Sequence, residues 1–340
     1  MQVLAMTDII RLAHGSGGEA SRSLIAFFVE KYLANPIIEG LEDSALVRHE
    51  GWRIAFTTDS YVVSPIFFPG GDIGSLAING TVNDLSMVGA RPLALTLSLI
   101  IEEGFAFRDL ERIMESVSKA ARRAGVEIVG GDTKVVERGS ADGIFVNTAG
   151  LGVVGDGIEI SASGARPGDA VIISGSIGDH GIAVLSKREG LGFETIVESD
   201  TAPLNRLVEK MLGVTTEIHA MRDPTRGGLA TALNEIASRS GVRVTIDESC
   251  VPIRPEVQRA CDMFGLDPFY VANEGKLVAF VPKAFANRMI EAMRMTDVGK
   301  EAAIIGEVEA EDTGLVILNT SVGGQRILSP LSGELLPRIC

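Results

Sequence analysis

Apolar runs of strand length alternate with helical faces along almost the whole chain, and a Ser-, Ala- and Gly-rich stretch at 160–169 splits them into two series. In the first, a helix is predicted over 21–33, stopped before Pro36, with strands at 45–47, 54–57 and 94–101. A helix over 73–88 is closed by Gly89 and Pro92. Leu110, Ile113, Met114, Val117, Ala120, Ala121 and Ala124 share one helical face that stops at Gly125, and strands resume at 126–129 and 145–154. The second series predicts strands at 170–174, 242–246, 276–281, 303–308 and 315–318. Its helices fall over 181–188, 203–212, 228–239, 255–264 and 284–295. Hairpin-like turns between these elements favour an α+β (mixed α/β) fold over a doubly wound parallel sheet. The organisation expected is an N-terminal segment (1–40), a first domain (41–158), a second domain (168–325) and a mobile tail (326–340).

The 340 residues suffice for two such domains, and 46% hydrophobic against 22% charged residues supports packed cores. A net charge of −14 argues against non-specific binding to nucleic acid or an anionic membrane. The longest apolar run, 92–101, ends at Glu102 and Glu103, well short of the ~20 residues that span a bilayer. No basic segment precedes an apolar stretch at the start, so no secretion signal and a cytoplasmic location are expected, with Cys250, Cys261 and Cys340 reduced. Cys250 and Cys261 sit among apolar residues and are expected in the core or on helices. Cys340 follows Pro337, Arg338 and Ile339 on a short tether. That arrangement suits a covalent carrier arm able to fold back into a cleft, and an incidental terminal thiol is the alternative.

An acidic enzyme that handles phosphate needs a divalent cation or local basic groups. Asp43, Asp59, Asp84 and Asp132 each stand beside small or glycine residues, in motifs expected at strand ends or turns. Hard oxygen ligands spread over several loops are what Mg²⁺ bound through nucleotide phosphates requires. Singly, each reads more readily as a turn or cap, and it is the four together in one domain that point to a cation site. Asn79, Asn83 and Asp84 lie on the 73–88 helix, where inward polar groups need partners. Lys134 follows Asp132 by two, so both point to one side of an extended strand, as an ion pair or as a phosphate-binding charge. The segment His14-Gly15-Ser16-Gly17-Gly18 could wrap phosphate with backbone N–H groups, or serve as a linker. Arg226 and Gly227 open a helix at an anion-binding type of turn. His219 reads as a surface or capping residue, residues 175–181 as turn geometry, and Glu274 as a general base or an exposed loop charge.

In order, HGSGG, DSA, TTDS, NDLSMVGARP, GGDTKVV, SGSIGDHG, RDPTRGGL, NEGK and PRIC closely resemble the HypE family of carbamoyl dehydratases in nickel–iron hydrogenase maturation, over 14–340. The Asp motifs are shared across the PurM-like (aminoimidazole ribonucleotide synthetase) superfamily, whereas the terminal PRIC marks this family. The resemblance implies a PurM-like two-domain fold, with a first domain that dimerises through its sheet into a barrel and a C-terminal α/β sandwich beside it. It implies ATP and Mg²⁺ in the cleft. A HypF-type carbamoyltransferase would load Cys340, and a HypC–HypD iron scaffold would receive cyanide. By matching motifs, Asp43, Asp59, Asp84 and Asp132 would hold metal and phosphate. His14, Gly17, Gly18, Asn79, Thr133, Arg226 and Gly227 would line the nucleotide. Lys134 and Glu274 would stabilise phosphate and remove protons, and Arg338 would lock the inserted tail by pairing with a carboxylate or phosphate. A small-molecule enzyme of the same superfamily leaves the thiol idle, and a non-enzymatic thiol scaffold leaves the nucleotide motifs idle.

Overall fold

The computed structural model describes residues 9–40, 42–188, 195–311, 313–333 and 335–340. The chain enters through α1 (Glu19–Phe28), prolonged by one π turn over Val29–Leu33. The first domain then holds β1 (Ala45–His49), β2 (Trp52–Tyr61), the short β3 (Phe67–Phe68) and β4 (Gly71–Asp72), and α2 (Ile73–Met87). It continues with β5 (Ala90–Glu102), α3 (Phe107–Ala124), β6 (Glu127–Val136) and β7 (Ile144–Val154). Five strands pair in the order β1-β2-β7-β5-β6, antiparallel except for β5 and β6, which α3 connects.

Asp72 caps α2: its Oδ1 accepts the N–H groups of Gly74 and Ser75 at 2.9 Å, while the Ser75 hydroxyl accepts the Asp72 N–H. The helix is buried almost all round, because the sheet and α3 cover one side and the second domain the other. Period-two alternation along β5 puts Leu95, Leu97, Leu99 and Ile101 under the helices. The opposite sheet face is open, with Phe56, Ile100 and Leu151 exposed on it.

The second domain comprises β8 (Asp169–Ile173), α4 (Asp179–Leu185), α5 (Asn205–Leu212), β9 (Ala220–Arg222), α6 (Gly228–Ser240) and β10 (Arg243–Asp247). It ends with α7 (Pro255–Phe264), β11 (Val278–Pro282), α8 (Ala286–Arg294), β12 (Ala303–Glu309), β13 (Val316–Asn319) and β14 (Gln325–Ile327). Its sheet runs β14-β13-β10-β12-β8-β11-β9, and β10 with β13 is its parallel pair. The two domains share a core in which Leu85, Met87 and Val88 pack with Leu204, Leu207, Met211 and Met289. Asn83 bridges them: its Oδ1 accepts Leu204 N–H at 2.8 Å, and its Nδ2 donates to the carbonyls of Ala202 (3.1 Å) and Glu274 (3.3 Å). The inward polar face of α2 therefore serves the domain boundary as well as the cleft.

Four expectations need correction. The TTDS and GGDTK motifs lie inside β2 and β6 rather than at strand ends, because pairing of 57–60 with β7 and of β6 with β5 carries their Asp, Ser and Gly positions, weak strand formers by themselves, into the ladder. A tail starting at 326 cuts through β14, which pairs with β13, and Leu328 is fully buried; the tail leaves the domain only beyond it. Cys250 is exposed on a 3₁₀ turn, whereas Cys261 is buried on α7. His219 is buried, not a surface residue, with its Nδ1 2.8 Å from Asp169 Oδ2. Among the described residues, no helix is long and apolar enough to cross a membrane.

Candidate active site

Three carboxylates from three elements meet where the domains join. Asp43 precedes β1, Asp84 is held on the buried α2, and Asp223 follows β9; one oxygen from each lies within 4.8 Å of the others. Burial pushes Asp43 up to about 6, against the pull of Arg222, and Asp223 up to about 7, with Asp43 adding to the effect. Asp84 is raised well above the carboxylate range by burial and then by Asp223, Asp59 and Asp43. The Thr57 hydroxyl lies 2.9 Å from the Asp43 carbonyl and 3.1 Å from Asp84 Oδ2, so its single proton ties both. Arg222 braces the group: Nη1 is 3.2 Å from Asp43 Oδ1 and Nε is 2.6 Å from Glu235 Oε2. Burial works against the Arg222 charge, but Asp43 and Glu235 outweigh it and raise its pKa. Crowded carboxylate oxygens that hold one another's pKa up are a donor set suited to a hard divalent cation.

Around this trio stand Asp59, Arg226 and Glu274. Asp59 lies on the helix side of β2, and burial raises its pKa against the charge of Arg226. Burial also raises Glu274 well above its ordinary value, with Asp223, Asp200 and Asp59 adding repulsion. Its backbone is anchored, since Asp200 accepts the N–H of Glu274 at 3.1 Å and pairs with Lys276 Nζ at 3.0 Å.

The end of the chain enters the same cleft. The N–H groups of Val62 and Ser64, just past β2, donate at 3.0 Å to the backbone oxygens of Cys340 and Arg338, so the tail runs antiparallel beside the segment that follows β2. Ile339 is buried in the core of the first domain. Arg338 donates from Nε to the Val62 carbonyl at 2.8 Å and pairs with Asp142. Asp142 is exposed. Burial pushes the Cys340 thiol up to about 12 despite the opposing charge of Arg226, with Glu274, Asp59 and Asp223 reinforcing the rise. An inserted thiol in these surroundings is almost entirely protonated at neutral pH.

The glycine-rich segment packs on the tail. A Cβ on Gly17, whose φ is +80°, would sit 2.7 Å from Arg226 Cβ, and one on Gly18 would sit 2.6 Å from the Leu331 carbonyl. The Glu19 N–H donates to that carbonyl at 3.3 Å, the Ser16 hydroxyl donates to the Gly333 carbonyl at 3.2 Å, and Arg226 Nη1 donates to the Gly15 carbonyl at 3.0 Å. His14 accepts the Arg11 N–H at Nδ1 and so caps its own turn. Gly227, at φ +77°, forms the N-cap of α6, and Asn79 donates to Thr201 Oγ1 at 3.2 Å.

Asp132, Thr133 and Lys134 do not join the trio. Cross-strand register places Ser60, Asn147, Ser98 and Asp132 in one row on the open face, and puts Asp59 with Thr148 and Leu97 on the helix face. There Asp132 and Lys134 are exposed and pair with each other at 2.7 Å. The expectation also omitted groups that the fold brings in: Asp223, Arg222 with Glu235, and His180. Asp223 is the second residue of the RDPTRGG motif already singled out for its glycines; Glu235 is visible in the sequence as an acidic residue on the apolar side of a helix.

The two-domain α+β fold is that of the AIR synthase related proteins. The model of their N-terminal domain matches residues 41–154, and that of their C-terminal domain matches 166–319. Within that class the chain belongs to the HypE family of carbamoyl dehydratases. It is 52% identical to the carbamoyl dehydratase HypE of Cupriavidus necator, over 97% of this chain and 95% of that protein. A HypE solved in complex with ATP superposes with a TM-score of 0.82 at 50% identity, covering 98% of this chain and 100% of that one. A HypE–HypF complex gives a TM-score of 0.86 at 50% identity, over 91% and 99%.

Proposed function

We propose that this chain dehydrates an S-carbamoyl group on Cys340 to a thiocyanate at the expense of ATP, as a source of cyanide for hydrogenase iron. The observation that carries this reading is the inserted tail, which sets the thiol beside Glu274, Arg226 and the Asp43–Asp84–Asp223 trio. In the reaction R–S–C(=O)NH₂ + ATP → R–S–C≡N + ADP + phosphate, the carbamoyl C–O bond breaks. The oxygen leaves on phosphate and the nitrogen gives up two protons. ATP supplies the phosphoryl group that makes this oxygen a leaving group, and Mg²⁺ would be held by Asp43, Asp84 and Asp223. Arg226 stands where negative charge would develop beside the tail, and oriented charge of this kind is worth ~3–4 kcal/mol per donor. Glu274 is the base for the nitrogen protons, because a carboxylate with a raised pKa is the stronger base once ionised. A protonated thiol at about 12 cannot attack a carbamoyl donor, so loading by a HypF-type carbamoyltransferase takes place with the tail withdrawn. Release then passes to a HypC–HypD scaffold. Two copies pair through the open sheet face, which carries Phe56, Ile100 and Leu151 together with Asp132 and Lys134. At that interface Asp132, Thr133 and Lys134 become available to the nucleotide.

The test is mass spectrometry of the C-terminal peptide after incubation with ATP, carbamoyl phosphate and the carbamoyltransferase. A carbamoyl adduct on Cys340 that then loses one water supports the reading, and an unmodified or permanently carbamoylated peptide overturns it. In the same assay Glu274→Gln should keep nucleotide affinity within about threefold while water loss slows by about 10²–10⁴-fold, the range for a general base. Unchanged turnover would remove Glu274 from the chemistry.

A further inference from the structure

The loop 175–181 that the sequence offers only as turn geometry delivers a fully buried histidine to the tail. His180, in the first turn of α4, stands edge-on to Phe68 with ring centroids 5.3 Å apart. Both ring nitrogens are engaged: Nε2 lies 2.8 Å from the Ile339 carbonyl oxygen and Nδ1 lies 2.8 Å from the Ser199 hydroxyl. A carbonyl can only accept, so Nε2 carries the hydrogen. Burial holds the ring below its ordinary pKa against the pull of Asp200 and so favours the neutral form, in which Nδ1 accepts from Ser199. Ser199 is set for this, because its oxygen already accepts the Thr201 N–H at 3.1 Å. The relay Thr201 N–H to Ser199 to His180 to Ile339 thus ends on the peptide unit that joins Ile339 to Cys340.

The other tail carbonyls have their own donors. Arg188, just beyond α4, donates to Pro337 and, at 3.3 Å, to Arg338; Ser64 N–H also serves Arg338, and Val62 N–H serves Cys340. The last four residues are therefore gripped by their backbone, which fixes insertion depth more than side-chain identity. We propose that His180 is a positioning residue for the dehydration: through the Ile339 carbonyl it sets how deeply Cys340 and its one-carbon cargo sit in the cleft. This deepens the carbamoyl reading and rests on it for the catalytic part alone.

The three free thiols make the test direct in the full chain, with N-ethylmaleimide as probe. Cys250 is exposed and reports reagent access, Cys261 is buried and reports unfolding, and Cys340 reports tail docking. His180→Phe keeps a ring against Phe68 but has no N–H, whereas His180→Gln keeps a donor of similar reach. Relative to Cys250, His180→Phe should label Cys340 about tenfold faster, as expected for one buried hydrogen bond, and His180→Gln should stay within about twofold of the parent. With carbamoyl-loaded protein, His180→Phe should lower kcat about tenfold at unchanged KM for ATP. Equal Cys340 labelling in all three, equal loss in both variants, or a change confined to KM would overturn the proposal. If His180→Phe exposes Cys261, Ser199→Ala decides, because it keeps the ring but removes the hydroxyl that sets its tautomer. Labelling about threefold faster is expected there, and no change overturns the proposal. The labelling arm needs neither nucleotide nor carbamoyl group, so a Cys340 that never accepts carbamoyl sinks the proposed reaction while leaving this arm to be judged by itself.

Discussion

Cys340→Ser should bind ATP with its affinity changed by less than about threefold and form no detectable thiocyanate. The substitution keeps the length of the arm, so the Val62 N–H still reaches the last carbonyl and Ile339 still fills its place in the core. What is lost is the nucleophile. A withdrawn cysteine returns towards its ordinary pKa of about 8.5 and supplies thiolate, whereas a serine hydroxyl supplies almost no alkoxide at neutral pH. Truncation of Cys340 is the less clean experiment, because it also removes the carbonyl that accepts from Val62 and should loosen docking. Calorimetric titration with nucleotide and mass spectrometry of the terminal peptide, made on one preparation, separate the two effects. A small-molecule kinase of the same fold would turn over at the parental rate in the serine variant. A simple thiol scaffold would show no ATP-linked change in the parent. Sustained turnover in Cys340→Ser excludes the carrier mechanism.

How much of this was legible beforehand depends on the distance over which each feature is determined. The apolar period of α3 with its Gly125 stop, the capped and apolar α2, and the strands β5 and β8 are set by neighbours within a few residues, and the sequence periods find them. Convergence is set by pairing between strands far apart in the chain. Asp43 meets Asp84 and Asp223 only because β2 lies over α2 and β9 closes the far sheet. The same register separates Asp59 from Asp132, which as isolated motifs look alike: both are acidic residues among small ones, yet they face opposite sides of one sheet. His180 was harder still. A histidine between glycine and aspartate carries no local sign that Phe68, Ser199 and Ile339 will close around it from three other segments. The family resemblance supplied the activity, and the fold supplies which groups stand near the thiol.

Asp84→Asn should move activity and stability in opposite directions. Asparagine nearly preserves shape and can still accept the Thr57 proton, but it removes the central charge of the trio. Dehydration should fall by about 10²–10³-fold, the usual loss when one oriented polar group at a charged reaction centre is deleted, and the gain in thermal midpoint on adding ATP with Mg²⁺ should shrink. Without ligand the variant should be the more stable protein. Asp43, Asp84 and Asp223 all have folded pKa values above their unfolded ones. Their contribution is therefore full below the unfolded value and is lost as pH rises through the folded values, about 6 for Asp43 and about 7 for Asp223. The ligand-free parent should accordingly melt lower at about pH 8 than at about pH 5.5. Asp84→Asn removes a carboxyl whose own pKa is raised well above its ordinary value, and with it that group's loss of stability on ionisation, so it should flatten that slope while raising the midpoint at the alkaline end. Scanning calorimetry across this range, with and without nucleotide, checks both signs together. A variant that loses stability at high pH, or that keeps the full ligand-induced gain, would show that these carboxylates form a structural cluster rather than a site held under mutual repulsion for a cation.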